Sequence, residues 1–130
     1  MPVEETPLSS AVFDQLRQAM SNDSAGFAAL YRDYLADAWQ TFQNLRASID
    51  QGQFDDVQAK AHYLKSSSLV LGAPLVAHCA TEVERAALAK DLSDAGALLD
   101  KTKGKLQQVQ AELAERLGKS VIPENYDAAA

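Results

Sequence analysis

The sequence predicts an all-α protein, an antiparallel up-down-up-down four-helix bundle preceded by a short extra N-terminal helix. Three observations carry this. Hydrophobic residues make up 47% of the chain but aromatics only 7%, and much of the rest is Ala and Leu, which favour helix over sheet. Long stretches keep apolar residues at steps of three and four, and short joints rich in Gly, Pro, Asp and Ser separate them. No stretch sustains strand alternation, and no Asn-Gly or Asp-Gly turn links two apolar runs.

The first helix is expected over about Leu8 to Met20, with Val12, Phe13 and Leu16 as its apolar stripe and start signals in Thr6-Pro7 and Ser9-Ser10. After "SNDS", a long second helix runs from about Ser24 to Asp50. Its buried face carries Phe27, Leu30, Tyr31, Tyr34, Ala38, Phe42, Leu45 and Ile49; its polar face carries Arg32, Asp33, Asp37, Gln40 and Gln43. Gly52 suits a left-handed position at its end. The third helix spans about Phe54 to Leu71 and is punctuated by Gly72 and Pro74. Pro74 opens a fourth, about Ala73 to Lys90, with Val76, Cys79, Ala80, Val83 and Ala87 inward. Ser93 is the expected N-cap of a fifth helix, about Asp94 to Leu117, in which Gly104 costs some intrinsic stability. Residues 1–120 are thus expected to form one domain, and residues 121–130 a disordered tail.

Bulk properties narrow the function. A net charge of −6 argues against a broad basic surface for nucleic acid or anionic lipid. One cysteine, Cys79, permits no intrachain disulfide and suits a reducing compartment. The acidic start "MPVEETPLSS" lacks a signal pattern, and no apolar run is long enough to span a membrane. The expectation is a cytoplasmic protein that engages neither nucleic acid nor membrane.

The third helix holds "AHYLKSSSLVLGA", Ala61 to Ala73, with three serines inside an apolar run. On a helical wheel, Ala61, Leu64, Ser68 and Leu71 fall within roughly 40° of Val57 and form the core stripe. His62 lies roughly 140° away, grouped with Gln58, Ser66 and Leu69 and flanked by Lys65. It therefore points to solvent. Ser67 and Ser68 are read as slim packing residues bonded back to their own helix. A neutral, accessible imidazole is nucleophilic near neutral pH and can hold a phosphoryl group, whose charge a nearby ammonium offsets. Small neighbours let another protein come close. An exposed histidine beside a lysine is by itself ordinary helix surface, so the string around it decides.

That string resembles the signature of histidine-containing phosphotransfer (HPt) domains: His, any residue, Leu, Lys, usually Gly, then small residues, an apolar residue and Gly-Ala or Gly-Leu. His62, Leu64, Lys65, Ser67, Ser68, Leu71, Gly72 and Ala73 match it. "LVAHCATEVERA" is similar to the family's next helix, and the helical layout agrees over about Ser24 to Leu117. The resemblance implies that His62 takes a phosphoryl group from an aspartyl phosphate on a receiver domain and passes it to another. Partners would be receiver domains of response regulators, a hybrid sensor histidine kinase, or both. Mg²⁺ would come with the receiver, so the chain needs no cofactor or metal of its own. Lys65 would assist electrostatically, and Glu84 would bond one ring nitrogen of His62. Ser66 departs from the usual Gly and could hydrogen-bond the histidine or restrict partners. Partner choice would fall to exposed residues such as Gln58, Tyr63, Ser66 and Leu69.

With no Gly-rich phosphate loop, the chain is expected to be a monomeric phosphocarrier and not a kinase. The alternative is a non-catalytic helical module that binds a receiver or kinase. A metal site on His62, His78 and Cys79 is not expected, because no paired zinc-type spacing exists.

Overall fold

Local chemistry sets the ends of each helix in the computed structural model, which describes residues 6–126. The helices are α1 (Ser10–Ala19), α2 (Ser24–Asp50), α3 (Phe54–Val70), α4 (Pro74–Leu88) and α5 (Leu92–Leu117), followed by a 3-10 turn, Lys119–Val121. Ser9 Oγ accepts from the Val12 amide at 3.3 Å, and Asp23 Oδ1 from the Gly26 amide at 2.8 Å, so each satisfies an amide the helix cannot. Helix α4 begins on Pro74, which has no N–H and so removes one of the amides that a first turn leaves without an intrahelical partner. The cap of α5 is Asp91 and not Ser93: its carboxylate accepts from the Asp94 amide at 2.9 Å, and the helix starts at Leu92. An ionised oxygen at that end also suits the helix dipole better than a hydroxyl.

Cross-helix bonds give the directions. Tyr31 reaches Leu71, Tyr34 reaches Ser68 and Ser48 reaches Asp56, so α2 and α3 run oppositely. Trp39 reaches Gln110 and Arg46 reaches Asp100, so α2 and α5 do the same. Helix α4 closes the bundle between α3 and α5. Leu35, Leu45, Val57, Leu64, Val76, Val83, Leu99, Leu106 and Val109 fill the interior. Helix α1 seals one end: Phe13 meets the Phe27 ring edge-on at 5.1 Å, and the Arg17 and Arg116 guanidiniums lie over it.

Gly72, at the α3–α4 turn, has φ +78° and is crowded by α1. The Ser9 amide donates to its carbonyl at 2.7 Å, and a Cβ on Gly72 would come within 2.8 Å of Val12 Cβ. Gly72→Ala therefore combines left-handed strain with overpacking. We expect a loss of about 3 kcal/mol in a urea unfolding titration.

The disordered tail expected from residue 121 is not what the structure shows through residue 126. After Gly118 turns the chain at φ +92°, Val121 and Pro123 are buried, and the Tyr126 ring lies 5.1 Å from Trp39. Asn125 Nδ2 donates to the Ala36 carbonyl at 2.9 Å. Too short for helical periodicity, the segment is held because α2 and α5 leave an apolar seam at Trp39 that it covers. The last expected tail residues, 127–130, lie outside the described ones. Among the described residues no helix is long and apolar enough to cross a membrane.

Candidate functional site

Helix α3 is tied down at its start before it presents anything. Ser48 Oγ donates to Asp56 Oδ2 at 2.6 Å, and the Lys60 ammonium bonds the same oxygen. These bonds hold the Asp56 carboxyl below the usual carboxylate range. Because the folded value is depressed, the stabilisation is present above the unfolded carboxylate pKa and disappears as pH falls through the folded one. In an acid titration followed by circular dichroism, Asp56→Asn should remove part of this acid-side loss and leave a shallower dependence on pH.

The inward face of α3 carries Val57, Ala61, Leu64 and Ser68, all buried. Ser68 does not bond back to its own helix as expected; its hydroxyl pairs with the Tyr34 hydroxyl at 2.7 Å. Serine is small enough there for a tyrosine from α2 to reach in and be satisfied. Ser67 does bond back, to the Leu64 carbonyl at 3.2 Å. Burial pushes the Tyr31 phenol up to about 12, and it donates to the Leu71 carbonyl at 2.9 Å. Both tyrosines thus pin the end of α3 that carries the motif.

The outward face carries His62, whose side chain is 59% exposed. Its Nδ1 lies 3.1 Å from Glu84 Oε2. The short α3–α4 turn brings α4 back along α3. Val83 takes a core position, so Glu84, one step round the helix, faces the groove beside His62. Glu84 is only 15% exposed, and Lys65 Nζ stands 4.0 Å from its other oxygen, Oε1. A carboxylate only accepts, so the hydrogen-bond network assigns the ring proton to Nδ1 and leaves the Nε2 lone pair free. Lys65 rests nearer the carboxylate than the sequence alone implies, bracketing it from the far side.

Gln58, Ala59, His62 and Glu84 line a shallow concavity. Ser66 is exposed one turn on, and its hydroxyl makes no hydrogen bond among the described residues, to His62 or otherwise. Tyr63 and Leu69 are exposed as expected, at 51% and 55%. Sequence reasoning missed Val70, 66% exposed on the same side, and Asp37 on α2, which accepts a hydrogen bond from the Tyr63 hydroxyl. Asp37 reads as solvated helix surface in one dimension; only the α2–α3 register brings it to Tyr63. His78 is exposed and Cys79 buried, so they diverge, and burial pushes the Cys79 thiol up. Among the described residues no three His, Cys, Asp or Glu side chains gather in a way that could hold a metal.

Fold and site together define a helical bundle that displays His62 on its surface, hydrogen-bonded to the Glu84 carboxylate. The Hpt domain family model matches residues 29–115, and the chain belongs to that family, the phosphorelay histidine phosphotransfer domains. Two solved structures share the fold. Histidine-containing phosphotransfer protein B from Pseudomonas aeruginosa PAO1 superposes with a TM-score of 0.80 at 22% identity, covering 88% of this chain and 96% of its own. A rice protein described as a histidine-containing phosphotransfer protein gives 0.77 at 20%, covering 88% and 84%. No curated protein matches the sequence.

Proposed function

We propose that His62 is the phosphoryl-carrying residue of a receiver-to-receiver relay. The observation that carries this reading is the 3.1 Å contact between His62 Nδ1 and Glu84 Oε2 on an otherwise open imidazole. The Nε2 lone pair attacks the phosphorus of an aspartyl phosphate on the receiver. The acyl P–O bond breaks, the aspartate leaves as carboxylate, and an N–P bond forms. No proton needs to move: Nδ1 keeps its hydrogen, and the ring gains positive charge beside Glu84. That carboxylate stabilises the charge as it develops and holds the ring in the attacking tautomer. Lys65 moderates Glu84, and in this reading its ammonium offsets charge on the transferred phosphoryl group. In the reverse direction a second receiver's aspartate attacks the same phosphorus. Mg²⁺ belongs to the receiver in this scheme, and the chain contributes no ATP chemistry. Gln58, Ser66 and Leu69 surround the histidine as the surface a receiver meets.

The test is to mix the full chain with receiver domains from the same genome that carry a labelled aspartyl phosphate, with Mg²⁺. The reading expects acid-labile, alkali-stable label on the chain, and its loss when an unphosphorylated receiver is added. A receiver that binds without transferring label would overturn the reading in favour of a non-catalytic binding module.

A further inference from the structure

Two neighbours on α3 are tied in opposite directions. His62 is held by Glu84 of α4, and the Tyr63 hydroxyl donates to Asp37 Oδ2 of α2. The Asp37 carboxylate accepts from the neutral phenol and repels its anion, which raises the Tyr63 phenol pKa. Yet the Tyr63 ring remains 51% exposed, with Leu69 and Val70 also exposed on the same helix. An exposed hydrogen bond of this kind adds little to folding stability. What it does is restrict the ring: the tip is anchored to α2, and the apolar body stays exposed one residue along α3 from the reactive imidazole.

We propose that Tyr63, latched by Asp37, is a specificity-determining residue that seats the apolar surface of an incoming receiver domain next to His62; this rests on the phosphocarrier reading above. A free surface tyrosine loses rotamer freedom when a partner packs on it, and a latched one has already lost it. The latch therefore lowers the receiver concentration needed for docking and leaves the chemical step, which belongs to His62 and Glu84, untouched. Asp37 touches no reacting atom and is a positioning residue acting through Tyr63.

The experiment measures initial transfer rates to the full chain as receiver concentration is varied, using whichever receiver domain from the same genome transfers best. Tyr63→Phe and Asp37→Ala should each raise the half-saturating receiver concentration roughly fivefold, with the saturated rate unchanged. The double variant should be no worse than either single one, because both remove one latch. Asp37→Asn, which keeps an acceptor oxygen, should recover most of the loss. Unchanged half-saturation, a fall in the saturated rate, or multiplying effects in the double variant would overturn the proposal. If the native chain takes no label, the phosphocarrier reading fails on its own. The same variants are then scored by calorimetric titration with the receiver, where a fivefold weaker Kd supports the latch and an unchanged Kd refutes it.

Discussion

His62→Gln should lose phosphoryl acceptance from a phosphorylated receiver by on the order of a thousandfold or more, leaving only background label. Glutamine keeps a polar side chain at an exposed position, so the bundle should fold and melt as before; circular dichroism and a labelling gel on one sample check both halves. The loss is large because no neighbour can substitute: Lys65 stands by Glu84, and Ser66 has no base bonded to its hydroxyl. Glu84→Gln offers a graded comparison. It preserves shape and an acceptor but removes the charge facing the imidazolium that forms, so transfer should slow by about tenfold. A Glu84→Gln rate equal to that of the native chain would show that the carboxylate only orients the ring.

Trp39→Ala should produce the largest loss of stability, about 3–5 kcal/mol for the side chain. Trp39 is buried, meets Phe42 edge-on at 5.8 Å and lies against Tyr126. Its Nε1 donates to Gln110 Oε1 at 2.8 Å, so truncation also strands a buried amide oxygen. Set against a typical domain stability of about 5–15 kcal/mol, the variant should sit near the edge of folding at 37 °C. Its urea midpoint, followed by far-ultraviolet circular dichroism because the chain has a single tryptophan, measures this. Residues 119–126 should also become protease-sensitive, since Trp39 is the surface they cover. Where the variant is folded, transfer should persist, because Trp39 serves the α2–α5 seam while His62 lies on the α3–α4 side.

Much of the fold is visible in one dimension because helices announce themselves locally. Steps of three and four place Phe27, Tyr31, Tyr34, Ala38, Phe42 and Leu45 inward, and α2 forms over Ser24–Asp50 as its pattern predicts. The same periodicity turns His62 outward and Leu64 and Ser68 inward. Caps are less secure: Asp91 and Ser93 are both competent residues, and which one caps depends on where the preceding turn releases the chain. Residues 119–126 show the limit of periodicity. Val121, Pro123 and Tyr126 make no pattern of their own, and they are ordered by a surface that lies on α2, nearly ninety residues earlier in the chain.

The site divides in the same way. Period and residue type by themselves determined an α-helical chain with His62 on a solvent-facing surface, flanked by a lysine and small residues, and the resemblance of the string around it implied the phosphoryl chemistry. The tertiary structure decided what each of those side chains holds: Glu84 on Nδ1 of His62, Lys65 on the far oxygen of Glu84, Asp37 on Tyr63, and Tyr34 on Ser68. The physical reason is that a helix's own period sets the direction of each side chain but not its height against a neighbouring helix. That height comes from the turns and from core packing, through Gly72 at the α3–α4 corner and the tyrosines of α2. An imidazole's direction can be read from the string around it; its proton can be assigned only once Glu84 has been brought alongside.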